Sequence, residues 1–427
     1  MPSGAACWSL SWAQPKDHAC VRHTIMQQVI FLFLLILCFL YCLLLMYYRR
    51  AWKQLPGYEP QTPNLKPTTR ISVIIPARNE ETHIGACLDS LANQSYPKEL
   101  FEVLVVDDHS TDNTAAIIDA RKAGNIKRIA LQDHINGETL NSYKKKAIET
   151  AIRLSTGELI VTTDADCVVP PHWLQTIAAF YVQYQPAFIA APVSFLPSPP
   201  GEGPGVRFIE IFQSLDFMTL LGITGASVYK KTHSMCNGAN MAYTRKAFEE
   251  VGGFAGIDSI ASGDDMLLMH KIYKRNPSKI MFLKSREAIV ETAPVNSIRA
   301  FFNQRIRWAS KATRYEDKRI FGVLLLVYLF NLSLLALPIA GLFSNPTFNL
   351  YLYPVSIRMT LLECWVILLL MKLIVELRFL LPVARFFGKT NMLWFFPLMQ
   401  PLHILYTVIA GWFGQFGRYT WKQRSVK

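Results

Sequence analysis

An α/β domain built on a parallel sheet and flanked by transmembrane helices is the fold class this sequence predicts. Three observations lead there. The chain has 427 residues, of which 51% are hydrophobic, and a positive mean hydropathy, too apolar for a wholly soluble protein and too polar for one buried entirely in a bilayer. Val29 to Tyr48 carries no charge over 20 residues, enough to cross a hydrocarbon core of roughly 30 Å. From Arg70 onward, short β-branched runs alternate with amphipathic stretches, the pattern of strands feeding helices.

Residues 1–24 have no readable pattern and form a leader of unknown structure. Residues 25–48 predict a transmembrane helix. A cleaved signal peptide is the competing reading, but its apolar core is typically about 7 to 15 residues and a small-residue cleavage site follows it, which is not seen here. A linker, 49–69, leads into the α/β domain at 70–296. Its opening elements run in order: "ISVIIP", a helix from Glu81 to Asn93, "FEVLVVDD", a helix from Asp112 to Arg121, "IKRIAL", a helix from Lys145 to Ser155, "ELIVTTDAD", and a helix from Pro171 to Tyr184. Residues 297–319 place apolar side chains at Ile298, Phe301, Phe302, Ile306 and Ala309, which predicts an amphipathic helix on a membrane surface. Residues 320–416 hold three apolar runs, Ile320–Phe343, about Met359–Leu377 and about Met392–Phe413, and 417–427 is a basic tail.

Arg49, Arg50 and Lys53 follow the first span, and Arg314, Lys318 and Arg319 precede the second. Cationic flanks mark the cytoplasmic side, so the α/β domain is expected in the cytoplasm and the chain as a multi-pass protein of the cell membrane. Beyond that the charges conflict. "ELRFLLPVARFFGK" and the tail are both basic, yet one full span between them would put them on opposite faces. One of the last two apolar runs is therefore expected to be re-entrant or interfacial, in keeping with Pro397 and Pro401 in the last and Glu363, Lys372 and Glu376 in the one before. The net charge of +13 suits anionic lipid and a diphosphate ligand. No zinc finger, helix-turn-helix or aromatic RNA-binding signature accompanies it, so nucleic acid is not an expected partner. The eight cysteines are scattered, resembling neither a disulfide framework nor a zinc site.

Ligands of parallel α/β sheets bind beyond the carboxyl ends of the strands. Three strands deliver polar residues there: "PARNEE", "DDHSTD" and "DADC". Neither a G-x-G-x-x-G nor a P-loop signature opens the first helix, so phosphates must be held another way. A hard divalent cation, Mg²⁺ or Mn²⁺, takes carboxylate oxygens and leaves positions for water and substrate phosphate. Asp164 and Asp166 fall on one side of an extended backbone, so one can hold a ribose and the other a metal. Solvated turn acids are the plainer alternative for both, and helix capping is the alternative for Asp108.

The ordered set "VIIPARNE", "VVDDHSTDNT", "DAD", "GANMAYTRKAFEEVGGF", "SGDDMLL" and "QRIRW", over roughly Arg70 to Trp308, resembles the inverting glycosyltransferases of family 2, whose GT-A fold binds nucleotide-diphospho-sugars. The resemblance implies that Asp108 contacts the uracil end of a UDP-sugar with Glu80 nearby, that Asp164 supports ribose or diphosphate, and that Asp166 ligates the metal. It places Asp265 as the base that takes the acceptor proton. Asp264 stands where the family often has Glu. Gln304, Arg305, Arg307 and Trp308 match the Q-x-x-R-W motif of membrane polysaccharide synthases such as those of cellulose and poly-N-acetylglucosamine, which closes over diphosphate and acceptor. A basic surface helix is the alternative there. Lys144 and Lys145 are further diphosphate candidates, with a solvated helix start as the alternative, and His233 is a weak metal neighbour without ligand spacing.

The expected function is transfer of a sugar from a UDP-sugar to a lipid or glycan acceptor at the cytoplasmic membrane face. Processive polysaccharide synthesis by the same chemistry remains open, as does a non-catalytic nucleotide-sugar-binding subunit.

Overall fold

The protein's structure, a computed structural model, describes residues 15–60, 67–121, 124–135, 140–197, 204–260, 263–310, 317–343, 347–352, 355–416, 419–421 and 424–426. Helix α1 (Pro15–Gln54) extends the expected span at both ends, so part of the leader and part of the linker are helical; residues 1–14 lie outside the described residues. The chain then runs β1 (Ile71–Ala77), α2 (Ile84–Ala92), β2 (Phe101–Asp107), α3 (Thr114–Ala120), β3 (Ile126–Ala130), α4 (Tyr143–Leu154), β4 (Leu159–Thr162), β5 (Cys167–Val168) and α5 (Trp173–Tyr184). It continues through β6 (Phe188–Ala190), β7 (Val193–Phe195), α6 (Pro204–Lys230), β8 (Met241–Thr244), α7 (Arg245–Glu250), α8 (Met266–Arg275), β9 (Ile280–Phe282), β10 (Val290–Thr292) and α9 (Ile298–Ala309). The last part comprises α10 (Lys318–Phe343), a hairpin of β11 (Thr347–Leu352) and β12 (Val355–Thr360), α11 (Leu361–Phe387) and α12 (Phe396–Phe416), with two short strands in the tail.

Seven strands form the main sheet in the order β3-β2-β1-β4-β8-β6-β9. The first four are parallel, as expected from the strand–helix alternation. β8 is antiparallel to both its neighbours, so the sheet is mixed rather than wholly parallel. Period-two geometry divides the parallel strands between two cores. Ile71, Val73 and Ile75 of β1 pack with Leu88 of α2 and Trp173 of α5, while Ile74 packs with Ile148 and Ile152 of α4. Burying both faces aligns the strand ends rigidly, and the site is built on those ends.

Among the described residues, four segments are long and apolar enough to cross a membrane: Met26–Gln54, Val206–Lys230, Lys318–Phe343 and Thr390–Gly414. The second was not expected from the sequence. It lies in α6, which leaves the domain after β7 and returns to it at β8, a strand hydrogen-bonded to β6 and β4. A helix whose two ends enter one domain cannot pass to the other side of a bilayer, and its most apolar stretch is 78% buried by protein. α11 is excluded from the four by its charges, yet Lys372 is fully buried and paired with Glu376 at 2.7 Å and with Gln400 of α12 at 2.6 Å.

Candidate active site

The loops after β1 and β2 are stitched to each other. Asn79 adopts a positive φ of 52°, which an Asn side chain tolerates, and its Oδ1 accepts from Thr111 N–H at 2.9 Å. Glu80 N–H donates to Thr114 Oγ1 at 2.7 Å. Arg78 donates to the Asp108 carbonyl at 2.7 Å, and His109 Nδ1 lies 2.9 Å from Asp108 Oδ1. These contacts fix Asp108, only 4% exposed, at the floor of a cleft.

Asp164 and Asp166 stand beyond the last residue of β4, the latter in a turn. The strand is shorter than expected, but the alternation persists: both acids are partly exposed and Ala165 between them is buried. Lys144, in the first turn of α4, reaches Asp164 Oδ1 at 2.8 Å and Asp264 Oδ2 at 3.1 Å. Burial disfavours its charge, but the carboxylates of Asp164 and Asp264 outweigh that and hold the ammonium well above the usual lysine range. A Cβ at Gly238 would come 3.3 Å from Asp264 Oδ2 and 3.5 Å from Lys144 Nζ, so this approach of backbone to the ion pair favours glycine. Asp265 caps α8, its Oδ1 accepting from Met266 N–H at 2.7 Å, which orients the carboxylate.

A cavity of about 270 Å³ gathers Glu80, Asp108, Lys144, Asp164, Asp166, Asp264, Asp265, Gln304, Arg307 and Trp308 on its wall. Gln304, Arg307 and Trp308 reach it together because i, i+3 and i+4 share one helix face. Two expected residues are absent from the wall. Lys145 turns away, its Nζ donating to the Ile257 and Ile260 carbonyls at 2.6 Å each; neighbouring helix positions diverge by about 100°. Arg305 likewise faces inward, paired with Asp216 at 2.6 Å and 4% exposed. His233 is also remote from the wall, held between Tyr48 and Ser227 at 2.9 Å each, and burial pushes it down to about 4.

The sequence reading missed Arg78, the Asn237–Ala239 backbone, and the apolar wall of Phe195, Phe217 and Val295. Arg78 and the Gly238 turn lie inside motifs it had singled out. Phe195 and Phe217 carry no local signal.

Among the described residues no group of three or more His, Cys, Asp or Glu forms a cation site by itself. Asp166 on the wall fits a cation whose remaining positions are completed by substrate phosphate and water, the arrangement hard divalent ions commonly accept.

A mixed sheet with acids at its parallel strand ends and a helix closing the cleft defines a GT-A-like fold. A family model described as "Glycosyl transferase family 2" matches residues 72–252. The chain therefore carries a family 2 glycosyltransferase domain, and the remaining segments stand outside that match. A mannosyltransferase from Pyrobaculum calidifontis, solved in complex with GDP-Man and Mn²⁺, shares the fold with a TM-score of 0.55 at 20% identity, covering 91% of this chain and 98% of that one. The beta-monoglucosyldiacylglycerol synthase of a Synechocystis species is 26% identical over 259 residues, 59% of this chain and 50% of that protein. The poly(ribitol-phosphate) beta-N-acetylglucosaminyltransferase TarS of Staphylococcus aureus is 37% identical over 112 residues, 26% of this chain and 18% of that protein. The matched segments thus span between 15% and half of such relatives' lengths.

Proposed function

We propose that the protein transfers a sugar, with inversion and in one displacement, from a nucleoside-diphosphate sugar to a hydroxyl of a lipid or glycan acceptor. The observation that carries this reading is the single cavity that unites acids from three strand ends, the Asp264–Asp265 pair and the Gln304–Arg307–Trp308 face. Asp108 and Glu80 bind the nucleoside end, a UDP-sugar being the expected donor. Asp164 and Lys144 flank the ribose and diphosphate. Asp265 takes the acceptor proton as the acceptor oxygen bonds to the anomeric carbon, and the bond to the diphosphate breaks with its electron pair leaving on phosphate oxygen. Asp166 would hold a divalent cation, Mg²⁺ or Mn²⁺, which when bound neutralises charge on the departing diphosphate. Arg307 clamps that diphosphate through its planar fork, and Trp308, tilted against Phe217 with ring centroids 6.3 Å apart, offers an apolar face to the acceptor. The test is equilibrium binding of UDP, GDP and their sugars to the detergent-solubilised protein, followed by release of diphosphate with candidate acceptors. Failure to bind any of the panel would overturn the reading.

The same proposal places the protein in the cell membrane with this domain in the cytoplasm. α11 returns to the domain, where Arg286 donates to the Arg385 and Phe386 carbonyls at 2.8 and 3.0 Å. α12 starts beside that end, and at its far end a Cβ on Gly414 would meet Ala309 and Ser310 of the α9 terminus. Both of its ends thus touch the domain side, so α1, α10 and α11 cross and α12 lies in the interface. This puts the two basic segments on one face. A cysteine at Trp394, 85% exposed, should label from the cytoplasmic side only, as should one in the tail; labelling of the tail from outside would refute the arrangement.

A further inference from the structure

Arg305 belongs to the same short motif as Arg307 and Trp308, yet its guanidinium enters protein rather than the cavity. Its Nη2 meets Asp216 Oδ2 of α6 at 2.6 Å, and Asp216 Oδ1 accepts from the Tyr406 hydroxyl of α12. Its Nη1 donates to Gln304 Oε1 at 2.9 Å. The guanidinium carbon lies 4.3 Å from the centroid of the Trp308 ring and 4.6 Å from that of Phe301. Phe301 in turn meets the Tyr406 ring edge-on at 5.2 Å between centroids. Phe301, Arg305 and Trp308 recur at i, i+4 and i+7 on one face of α9, and Trp308 and Gln304 also reach the cavity.

We propose that Asp216, held by Tyr406, is a positioning residue: through Arg305 it fixes the Trp308 indole and the Gln304 amide at the acceptor end of the cavity. The proposal rests on the reading of that cavity as a sugar-transfer site. The chemistry of the clamp explains why an arginine is needed. One planar cation can receive a carboxylate on one edge, hand a hydrogen bond to Gln304 from another and present its face to an indole, which an ammonium cannot do at once. Removing one partner of an ion pair buried to this extent leaves an uncompensated charge in the interior, so the pair ties together the elements that supply its partners. Here the partners come from three: α6, α9 and α12. Gln304 and Trp308 are thereby set by contacts from α6, which also lends Phe217 to the cavity wall, and from α12, so that α12, the interfacial helix, is coupled to acceptor placement.

Three variants test this in the full chain: Asp216→Asn, Tyr406→Phe, and the paired neutral Asp216→Asn with Arg305→Gln. Nucleotide-sugar binding should stay within about twofold of wild type in all three. Transfer should fall about 10- to 100-fold in Asp216→Asn, as expected of a misplacement on the order of 1 Å, and less in Tyr406→Phe, with the loss appearing in the acceptor KM more than the donor KM. The paired variant leaves no buried unpaired charge and should regain thermal stability, but not transfer. Hydroxyl-radical footprinting of Trp308 provides a readout independent of activity: its modification should rise in Asp216→Asn and in the paired variant. Transfer restored by the paired variant, or a Trp308 footprint unchanged in every variant that folds, would overturn the clamp. Should Asp216→Asn fail to fold, Tyr406→Phe and the paired variant carry the same two readouts. Wild-type protein that binds no nucleotide-sugar would overturn the proposed function instead, and the footprint would still decide whether Asp216 holds Trp308.

Discussion

Replacing Lys144 by methionine keeps the side-chain length and removes the charge that sits between two acids. The ammonium is 2.8 Å from Asp164 Oδ1 and 3.1 Å from Asp264 Oδ2, so those oxygens are at most about 5.9 Å apart. Two unit charges at that separation repel by roughly 3 kcal/mol at an effective dielectric of about 20 and by roughly 0.7 kcal/mol in bulk water. The Asp164 side chain is 35% exposed and that of Asp264 8%, so solvent screens one partner and not the other. A cost of about 1 to 2 kcal/mol follows, which at an unfolding entropy of about 2 cal/mol/K per residue over 427 residues lowers the melting temperature by about 1 to 2 °C. A divalent cation can take the vacated place, so Mn²⁺ should raise the melting temperature of Lys144→Met more than that of the wild type. The sign of the pH dependence is also fixed. A lysine raised in the folded state contributes its full stability below its unfolded value and loses it only as pH rises through the folded one, so the deficit of the variant should be constant across the neutral range. Thermal unfolding in detergent, with and without Mn²⁺, measures all of this. A variant that melts with the wild type and responds equally to Mn²⁺ would refute the bridging role.

Asp265→Asn keeps the size and removes the proton acceptor, so donor binding should survive while transfer falls by a factor on the order of 10² to 10⁴; a wild-type rate would move the base to another carboxylate. Asp166→Asn, like EDTA, should abolish turnover with the fold intact, and full activity in EDTA would exclude the metal role. Trp308→Phe should recover only part of the loss seen in Trp308→Ala, since the smaller ring offers less face, and Arg307→Lys should be impaired because a point charge lacks the bidentate fork. Near-normal transfer by both in detergent would make α9 a surface anchor only. Lys145→Met should lower thermal stability, because two loop carbonyls lose their donor, while donor affinity changes by less than about threefold; a larger loss of affinity than of stability would return Lys145 to the site.

The elements that could be read from sequence are those whose signal is local. From β1 to α5 the four main-sheet strands are β-branched runs and each helix has its own apolar stripe, and the structure places them within a few residues of expectation, while the two-residue β5 was not expected. β6 and β9 have three residues each, too short for a period to show, so the antiparallel insertion of β8 between β4 and β6 was not legible. α6 failed for another reason. Its apolar stretch is covered by protein, so its composition is less extreme than that of a lipid-facing span, and no uninterrupted run announces it. The charges of α11, which mark it off from an ordinary lipid-facing run in the sequence, are satisfied inside the bundle, where Lys372 and Glu376 pair with each other and with Gln400.

Site residues divided along the same line. Acids at strand ends were legible because the strand fixes where its last side chain points, and ten of the twelve expected residues share one wall. Lys145 and Arg305 were not, because the deciding partners are remote in sequence. Nothing near Lys144 and Lys145 says that one faces carboxylates and the other the Ile257 and Ile260 carbonyls. Nothing in "QRIRW" says that the first arginine meets an aspartate 89 residues earlier while the second faces the cavity. The pairs are decided by helix phase, since a rotation of about 100° per residue sends neighbours to different surroundings. A short motif on a helix therefore carries both the surface that lines the cavity and, one residue over, the surface that packs into the protein. In α9 the two meet at Trp308, which lines the cavity on one side and lies over the Arg305 guanidinium on the other.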